Sequence, residues 1–151
     1  MPRSTSIRAA LGALAVVTLF ISPLTSRLPA QSFPGTDFVI KNFKFESGQS
    51  LPELRMHYIA LGQPRKDAAG VVRNAVIINH GTTGSGAAFM GRTFGGELFG
   101  PGQPLDTSKY FVVLPDGIGH GKSSKPSDGL RAHFPNYTYN DMVGAEHELL
   151  V

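Results

Sequence analysis

Hydrophobic and polar residues alternate along two neighbouring segments near the start of the chain. Residues 37–45 place Phe38, Ile40, Phe43 and Phe45 among polar neighbours, with one slip in the alternation, and residues 54–61 alternate again. The residues between these segments, 47–50, have the composition of a turn. Because a period of two is typical of half-buried strands, the pattern predicts an antiparallel pair.

Two later segments are apolar without such alternation. Residues 75–79 and residues 110–114 are short, mostly apolar runs, and a short helical piece is predicted between them at residues 97–99. Strands of this kind occur where helices cover both faces of a parallel sheet. A polar loop at residues 63–74 leads into the first of these strands.

The last segment predicts an amphipathic helix. Thr138 and Asp141 form a capping-box-like pair at its start, and the helix is expected to continue through Glu148 or beyond. Met142, Ala145 and Leu149 share one face, with Val143 and Leu150 beside it. The whole pattern predicts the α/β class, with an antiparallel strand pair leading into a mostly parallel sheet.

Both apolar strands are followed by glycine-rich loops that carry polar side chains. The first loop reads His80-Gly81-Thr82-Thr83-Gly84-Ser85-Gly86, and the second contains Asp116-x-x-Gly119-x-Gly121-x-Ser123. Glycine permits sharp turns and positive φ, and loops of this kind often carry function on a rigid scaffold. The two loops are therefore the candidate site.

The first 30 residues have the pattern of a secretory signal peptide. Arg3 and Arg8 precede an uncharged apolar run at residues 9–21, which is shorter than the roughly 20 residues that span a bilayer. The best cleavage junction lies between Ala30 and Gln31. This predicts a secreted or periplasmic protein with no stable membrane anchor after cleavage; an uncleaved N-terminal anchor is the alternative.

Charge and cysteine content narrow the possible partners. Three of the 14 Lys and Arg residues lie in the first 30 positions, which leaves 11 basic and 11 acidic side chains in residues 31–151. Because residues 31–151 carry no net charge, they lack the excess of positive charge that favours nucleic-acid binding.

The absence of cysteine limits the possible chemistry. The chain has no cysteine, which excludes disulfides, thiolate metal sites and a cysteine nucleophile. No cofactor and no metal is predicted, and the oligomeric state is left open.

Four stretches together carry a family resemblance. FESGQSLPELRMHYIALG, NAVIINHGTTGSG, ELFGPGQPLDTSKYFVVLPD and YNDMVGAEHELL cover most of residues 37–151. In this order they resemble the N-terminal part of an α/β-hydrolase of the homoserine O-acetyltransferase-like group. The loop GHGKSSKPSDG departs from the form typical of true homoserine acetyltransferases and is similar to that of hydrolase-like relatives.

The resemblance implies acyl-ester or related hydrolysis by a serine nucleophile, with a histidine base and an acid. It places the backbone N–H of Thr82 in the oxyanion hole and His80, Gly81, Gly84, Asp116, Gly119 and Gly121 in active-site loops. The implied partner is a small-molecule acyl substrate. An acyltransferase of the homoserine acetyltransferase type, and a non-catalytic remnant or binding module, are the alternatives.

The nucleophile motif of this fold is missing from the sequence. No Gly-x-Ser-x-Gly occurs in the 151 residues, so the serine, acid and histidine are expected beyond Val151. Residues 31–151 are therefore interpreted as an incomplete domain that stops before the nucleophile elbow and is inactive alone. The resemblance also implies a fifth strand beside the third, and without it residues 31–151 are expected to be insoluble, oligomeric or molten.

Other chemistry-bearing residues in the loops have plainer interpretations. His80 and His120 have no second histidine at metal-ligand spacing, so they are expected to position loops rather than to bind metal. Gly121-Lys122-Ser123 resembles the end of a phosphate-binding loop, but Asp116 stands where that motif needs glycine. Ser123 and Ser124 lack the flanking glycines of a nucleophile elbow and are interpreted as loop residues.

Overall fold

A computed structural model describes residues 34–151 of the chain. The predicted signal peptide and its junction at Ala30 and Gln31 lie outside the described residues. Four strands are present: β1 Thr36–Lys44, β2 Ser50–Leu61, β3 Ala75–Ile77 and β4 Phe111–Pro115. The helices are α1 Gly95–Leu98 and α2 Tyr139–Leu150, and short 3-10 turns occur at Gly86–Met90, Pro126–Asp128 and Arg131–His133.

The strands form one sheet in the order β1-β2-β4-β3. β1 pairs antiparallel with β2, β2 pairs antiparallel with β4, and β3 lies parallel to β4. This confirms the α/β prediction and the antiparallel pair leading into β3 and β4. The predicted mostly parallel sheet is represented in residues 34–151 by one parallel pair, so two of the three pairings described here are antiparallel.

Strand boundaries differ from the predicted ones by a few residues. β2 begins at Ser50 rather than at residue 54, because Leu51 and Ser50 pair with Phe43 and Lys44 across the turn. The slip in the alternation of β1 falls at Asn42, which has a φ of 53°. Asn tolerates this left-handed conformation better than most residues. β3 ends at Ile77, two residues before the predicted end.

Two hydrophobic clusters hold the sheet to its surrounding elements. One cluster contains Leu54, Met56 and Ile118, which are fully buried, together with Ala145 of α2. The other contains Ile59, Val112 and Leu114 with Phe99, the residue that follows α1. Burying one such side chain stabilises the fold by roughly 1.5–3 kcal/mol. The sheet is thus packed through both β2 and β4.

Helix α2 begins with the predicted capping box. The Thr138 hydroxyl accepts a hydrogen bond from the Asp141 N–H, and the Asp141 carboxylate accepts one from the Thr138 N–H at 2.8 Å. Asp141 also accepts from the Glu46 N–H at 2.8 Å, which ties the helix to the β1–β2 turn. Ala145 is buried, but Val143 and Leu150 are 64% and 45% exposed. The predicted apolar face is therefore narrower than expected.

Among residues 34–151, no helix combines the length and the apolar character needed to cross a membrane.

The turn that leads into β4 depends on a carboxylate with a low pKa. Asp106 accepts hydrogen bonds from the Gly102 N–H at 2.8 Å and the Ser108 N–H at 2.9 Å. The bond from Gly102, followed by those from Ser108, lowers the pKa of Asp106 from its ordinary 3.8 to about 2. The charged form is therefore the one that the folded turn stabilises.

We predict that this turn gives a stability contribution that is present above pH 3.8 and is lost as the pH falls through about 2. Asp106→Asn should flatten this part of the acid-unfolding profile, measured by circular dichroism against pH. Glu97→Gln, an exposed change on α1, is the control. Identical acid profiles for wild type and Asp106→Asn would contradict the prediction.

We also predict that residues 31–151, expressed alone, self-associate through β3. Within the described part of the chain, β3 pairs only with β4, and Ile77 is partly exposed. An unpaired strand edge is a template for association, and a lysine on it opposes pairing. Ile77→Lys should shift the sample toward monomer in sedimentation velocity, while Val71→Lys in an exposed loop should not. A wild-type segment that is monomeric and unfolds cooperatively would contradict this.

Candidate active site

The two glycine-rich loops meet at one edge of the sheet. Because β3 and β4 are adjacent and parallel, the segments that follow them leave the sheet at the same end. We call residues 79–86 the His80 loop and residues 116–123 the Asp116 loop. The sequence placed candidate residues in both loops, and the sheet topology brings the loops side by side.

The Asp116 carboxylate connects the two loops. One of its oxygens accepts a hydrogen bond from the Gly86 N–H at 2.7 Å, and the other accepts one from the Lys122 N–H at 2.7 Å. The second bond lies within the Asp116 loop itself. Gly121 has a φ of 49°, and a Cβ there would overlap the Asp116 carboxylate. The glycine therefore allows the loop to close tightly around this 4% exposed side chain.

The His80 imidazole makes a second connection between the loops. Its Nε2 accepts a hydrogen bond from the Gly117 N–H at 3.0 Å, and its Nδ1 lies 2.8 Å from the Gly81 carbonyl. An N–H donor at Nε2 requires that this nitrogen carry no proton, so Nδ1 is the protonated nitrogen and donates to Gly81. The geometry therefore selects the neutral ring.

His120 lies beside His80, with ring centroids 5.0 Å apart. Its Nδ1 is 3.0 Å from the Ile118 carbonyl, so this nitrogen donates within its own loop. In residues 34–151 no three His, Asp or Glu side chains are grouped so that they could hold a metal ion.

Ser123 and Ser124 attach the Asp116 loop to strand β2. The Ser123 hydroxyl donates to the Asp116 carbonyl at 2.6 Å and accepts from the His57 N–H at 2.8 Å. The Ser124 hydroxyl accepts from the Arg55 N–H at 2.9 Å. Ser123 is fully buried. Both hydroxyls are bonded to backbone groups, which agrees with their interpretation as loop residues.

A cavity of about 500 Å³ opens between the two loops and the start of α2. His80, Gly81 and Thr82 of the His80 loop line it together with His120. The sequence had not assigned the four other lining residues to the site: Tyr137, Thr138, Tyr139 and Met142. The N–H of Thr82 has no hydrogen-bond acceptor within residues 34–151. This amide is free to donate to a bound molecule.

Little in the sequence indicated that residues in α2 and just before it would line the cavity. Met142 follows the apolar period of the helix, and a residue in that pattern is ordinarily a core residue. Tyr137 packs its hydroxyl against Gly119, where φ is 84° and a Cβ would overlap the phenol oxygen. A tyrosine just before a helix cap does not predict this contact, which spans two separate loops.

Sequence comparison finds relatives among acyltransferases. The chain is 34% identical over 121 residues to "Probable acyltransferase" of Methanothermobacter thermautotrophicus, covering 80% of this chain and 36% of that protein. It is 36% identical over 148 residues to a homoserine O-acetyltransferase of Leifsonia xyli subsp. xyli, covering 85% and 35%. The chain thus spans about a third of the length of these relatives. No protein-family model matches it.

Structure comparison finds esterases. An acetylester hydrolase from Corynebacterium glutamicum matches with a TM-score of 0.64 and 24% identity, over 78% of this chain and 32% of that one. The acetyl esterase MekB matches with a TM-score of 0.64 and 27% identity, also over 78% and 32%. The described sheet therefore has the fold of these hydrolases.

We predict that Asp116→Asn loosens both loops. The amide NH₂ of asparagine cannot accept the bond that one carboxylate oxygen now accepts, so one N–H loses its partner, at a cost of about 1–3 kcal/mol where that N–H is the buried one of Gly86. Faster hydrogen exchange is expected at the Gly86 or Lys122 amide, with a lower unfolding temperature. Glu97→Gln should change neither quantity. Unchanged exchange at both amides in Asp116→Asn would show that Asp116 does not hold the loops.

Proposed function

Because this chain belongs to the homoserine O-acetyltransferase-like group of the α/β-hydrolase fold, we propose that the complete gene product is a serine hydrolase that cleaves a small-molecule acyl ester. The main support for the proposal is that Thr82 lines the cavity and that its backbone N–H makes no hydrogen bond within residues 34–151. The loop that presents this amide is fixed to its neighbour by Asp116 and His80.

In the proposed reaction, the Thr82 N–H donates to the oxyanion of the tetrahedral intermediate. A serine hydroxyl attacks the ester carbonyl, its proton passes to a histidine, and the alcohol departs with that proton to leave an acyl-enzyme. Water then releases the carboxylic acid by the same steps. We place the serine, acid and histidine in the part of the relatives' length that this chain does not span.

Preorganised amides are effective here because they are already aimed at the developing charge. The hydrogen bonds from Gly86 to Asp116 and from Gly117 to His80 fix the His80 loop at its end and at its beginning. The Gly84 N–H also donates to the Gly81 carbonyl at 3.0 Å, which closes a turn around Thr82 and Thr83. These contacts support the assignment of an oxyanion hole to this loop.

Export supports hydrolysis over acyl transfer. We propose that residues 1–30 direct the protein out of the cytoplasm and are removed near Ala30, since Arg3, Arg8 and the apolar run at 9–21 have the pattern of a signal peptide. Acetyl-coenzyme A is a cytoplasmic metabolite, so an exported transferase would lack its acyl donor. Water is available everywhere.

Acyl transfer to homoserine is the second candidate function. The similarity to the Leifsonia homoserine O-acetyltransferase favours it, and both reactions use the same acyl-enzyme chemistry. Product analysis of the purified gene product, given an acyl ester with water alone or with homoserine present, separates the two. O-acylhomoserine as the main product would replace hydrolysis by transfer.

We predict that Thr82→Pro lowers kcat of the complete gene product by about 10²-fold or more, because loss of one oxyanion donor has this effect in related chemistry. Proline removes the N–H, and this N–H makes no hydrogen bond within residues 34–151. Thr82→Val keeps the amide and changes only the side chain, so its kcat should stay within about threefold of wild type.

The comparison of the two Thr82 variants gives a clear decision. Equal activity of Thr82→Pro and wild type would remove Thr82 from the oxyanion hole. Equal loss in Thr82→Pro and Thr82→Val would assign the effect to the side chain instead.

A further inference from the structure

The chain leaves the sheet just before the His80 loop. Strand pairing ends at Ile78, whose N–H donates to the Val113 carbonyl at 3.0 Å. Asn79 follows, and its side-chain amide donates to the carboxylate of Glu146 on α2 at 2.9 Å. This hydrogen bond joins residues 67 positions apart and ties the start of the loop to the helix.

Glu146 lies beside the His80 loop but does not line the cavity of about 500 Å³. A second cavity of about 220 Å³ is lined by Asn79, His80, Pro115, Gly117 and four residues of α2, Glu146 among them. The two cavities share His80, Tyr139 and Met142. Burial raises the pKa of Glu146, and the hydrogen bond from Asn79 opposes that rise.

The His80 loop has its other anchors in the segment that follows β4. Gly86 and His80 are bonded to Asp116 and Gly117, which both belong to the segment that follows β4. The hydrogen bond between Asn79 and Glu146 connects the same loop to α2. Contacts with two separate elements restrict the movement of a loop more than contacts with one, and small displacements of reacting groups cost rate steeply.

We propose that Glu146 is a positioning residue, which holds the Asn79 end of the His80 loop against α2 and thereby orients the Thr82 amide for the oxyanion. The proposal rests on the proposed function. Nothing in the family resemblance of the Asn-His-Gly-Thr stretch assigns a role to this glutamate. Its carboxylate acts through Asn79 and does not contact the substrate.

The test uses the complete gene product and a simple acetyl ester as substrate. Glu146→Ala removes the acceptor and should lower kcat by about tenfold while KM stays within about twofold, since positioning acts on the transition state more than on binding. Glu146→Gln keeps a carbonyl acceptor for Asn79 and should retain most of the activity. Glu148→Ala, an exposed glutamate of the same helix, is the matched control and should match wild type.

A reciprocal exchange tests the pair directly. Asn79→Asp sets two carboxylates against each other and should lower kcat, and this loss should shrink as the pH falls and one of the two takes up a proton. Adding Glu146→Gln to Asn79→Asp restores one amide and one carboxylate with their roles exchanged, and should recover kcat. This series also tests the role of the Asn79–Glu146 hydrogen bond if Glu146→Ala does not fold.

Hydrogen exchange at the Gly84 and Gly117 amides separates this proposal from the proposed function. Both amides donate within or to the His80 loop, so Glu146→Ala should speed their exchange while Glu146→Gln and Glu148→Ala should not. If wild type turns over no acyl ester but this exchange pattern is found, the hydrolase proposal fails and the anchoring role stands. Wild-type exchange and kcat in Glu146→Ala, or no recovery in the double variant, would overturn the role of Glu146.

Discussion

The buried carboxylate of Asp116 is bonded to backbone amides from both loops, and the shape of the cavity depends on those two bonds. One amide, that of Gly86, lies 30 residues earlier in the chain, and the other belongs to Lys122. Hydrogen bonds to an ionised acceptor are short and strong, and both distances here are 2.7 Å. A buried carboxylate without such donors would be costly. The fold therefore accommodates Asp116 only when the two loops close on it.

The two walls of the cavity are held in different ways. The loop wall is cross-linked through Asp116, His80 and Ser123, and Ser123 extends these links to the backbone of β2. The helix wall rests on Ala145 in the core and on the Asp141 cap, which reaches the β1–β2 turn. An oxyanion donor must be preorganised to be effective. The cross-linked wall has the hydrogen bonds that such preorganisation needs, while Met142 and Tyr139 line the cavity from the helix side.

Local patterns were sufficient for most of the fold. The alternation in β1 and β2, the apolar runs of β3 and β4 and the capping box of α2 are each visible within about ten residues. The contacts that form the site are different, because they join Gly86 to Asp116, Gly117 to His80 and Asn79 to Glu146 across 30 to 67 positions. The local pattern of hydrophobic and polar residues does not indicate contacts between residues so far apart in the sequence. The loops could therefore be identified from the sequence, but the contacts that cross-link them could not.

The position of Glu146 involves two opposing electrostatic effects. A carboxylate near an amide that binds an oxyanion disfavours the developing negative charge, since like charges repel. The side-chain amide of Asn79 donates a hydrogen bond to the Glu146 carboxylate, and this bond offsets part of the carboxylate's charge. The same bond fixes the loop. In the proposed role of Glu146, the gain from orienting Thr82 exceeds the remaining repulsion, and partial exposure to water favours that balance by screening the charge.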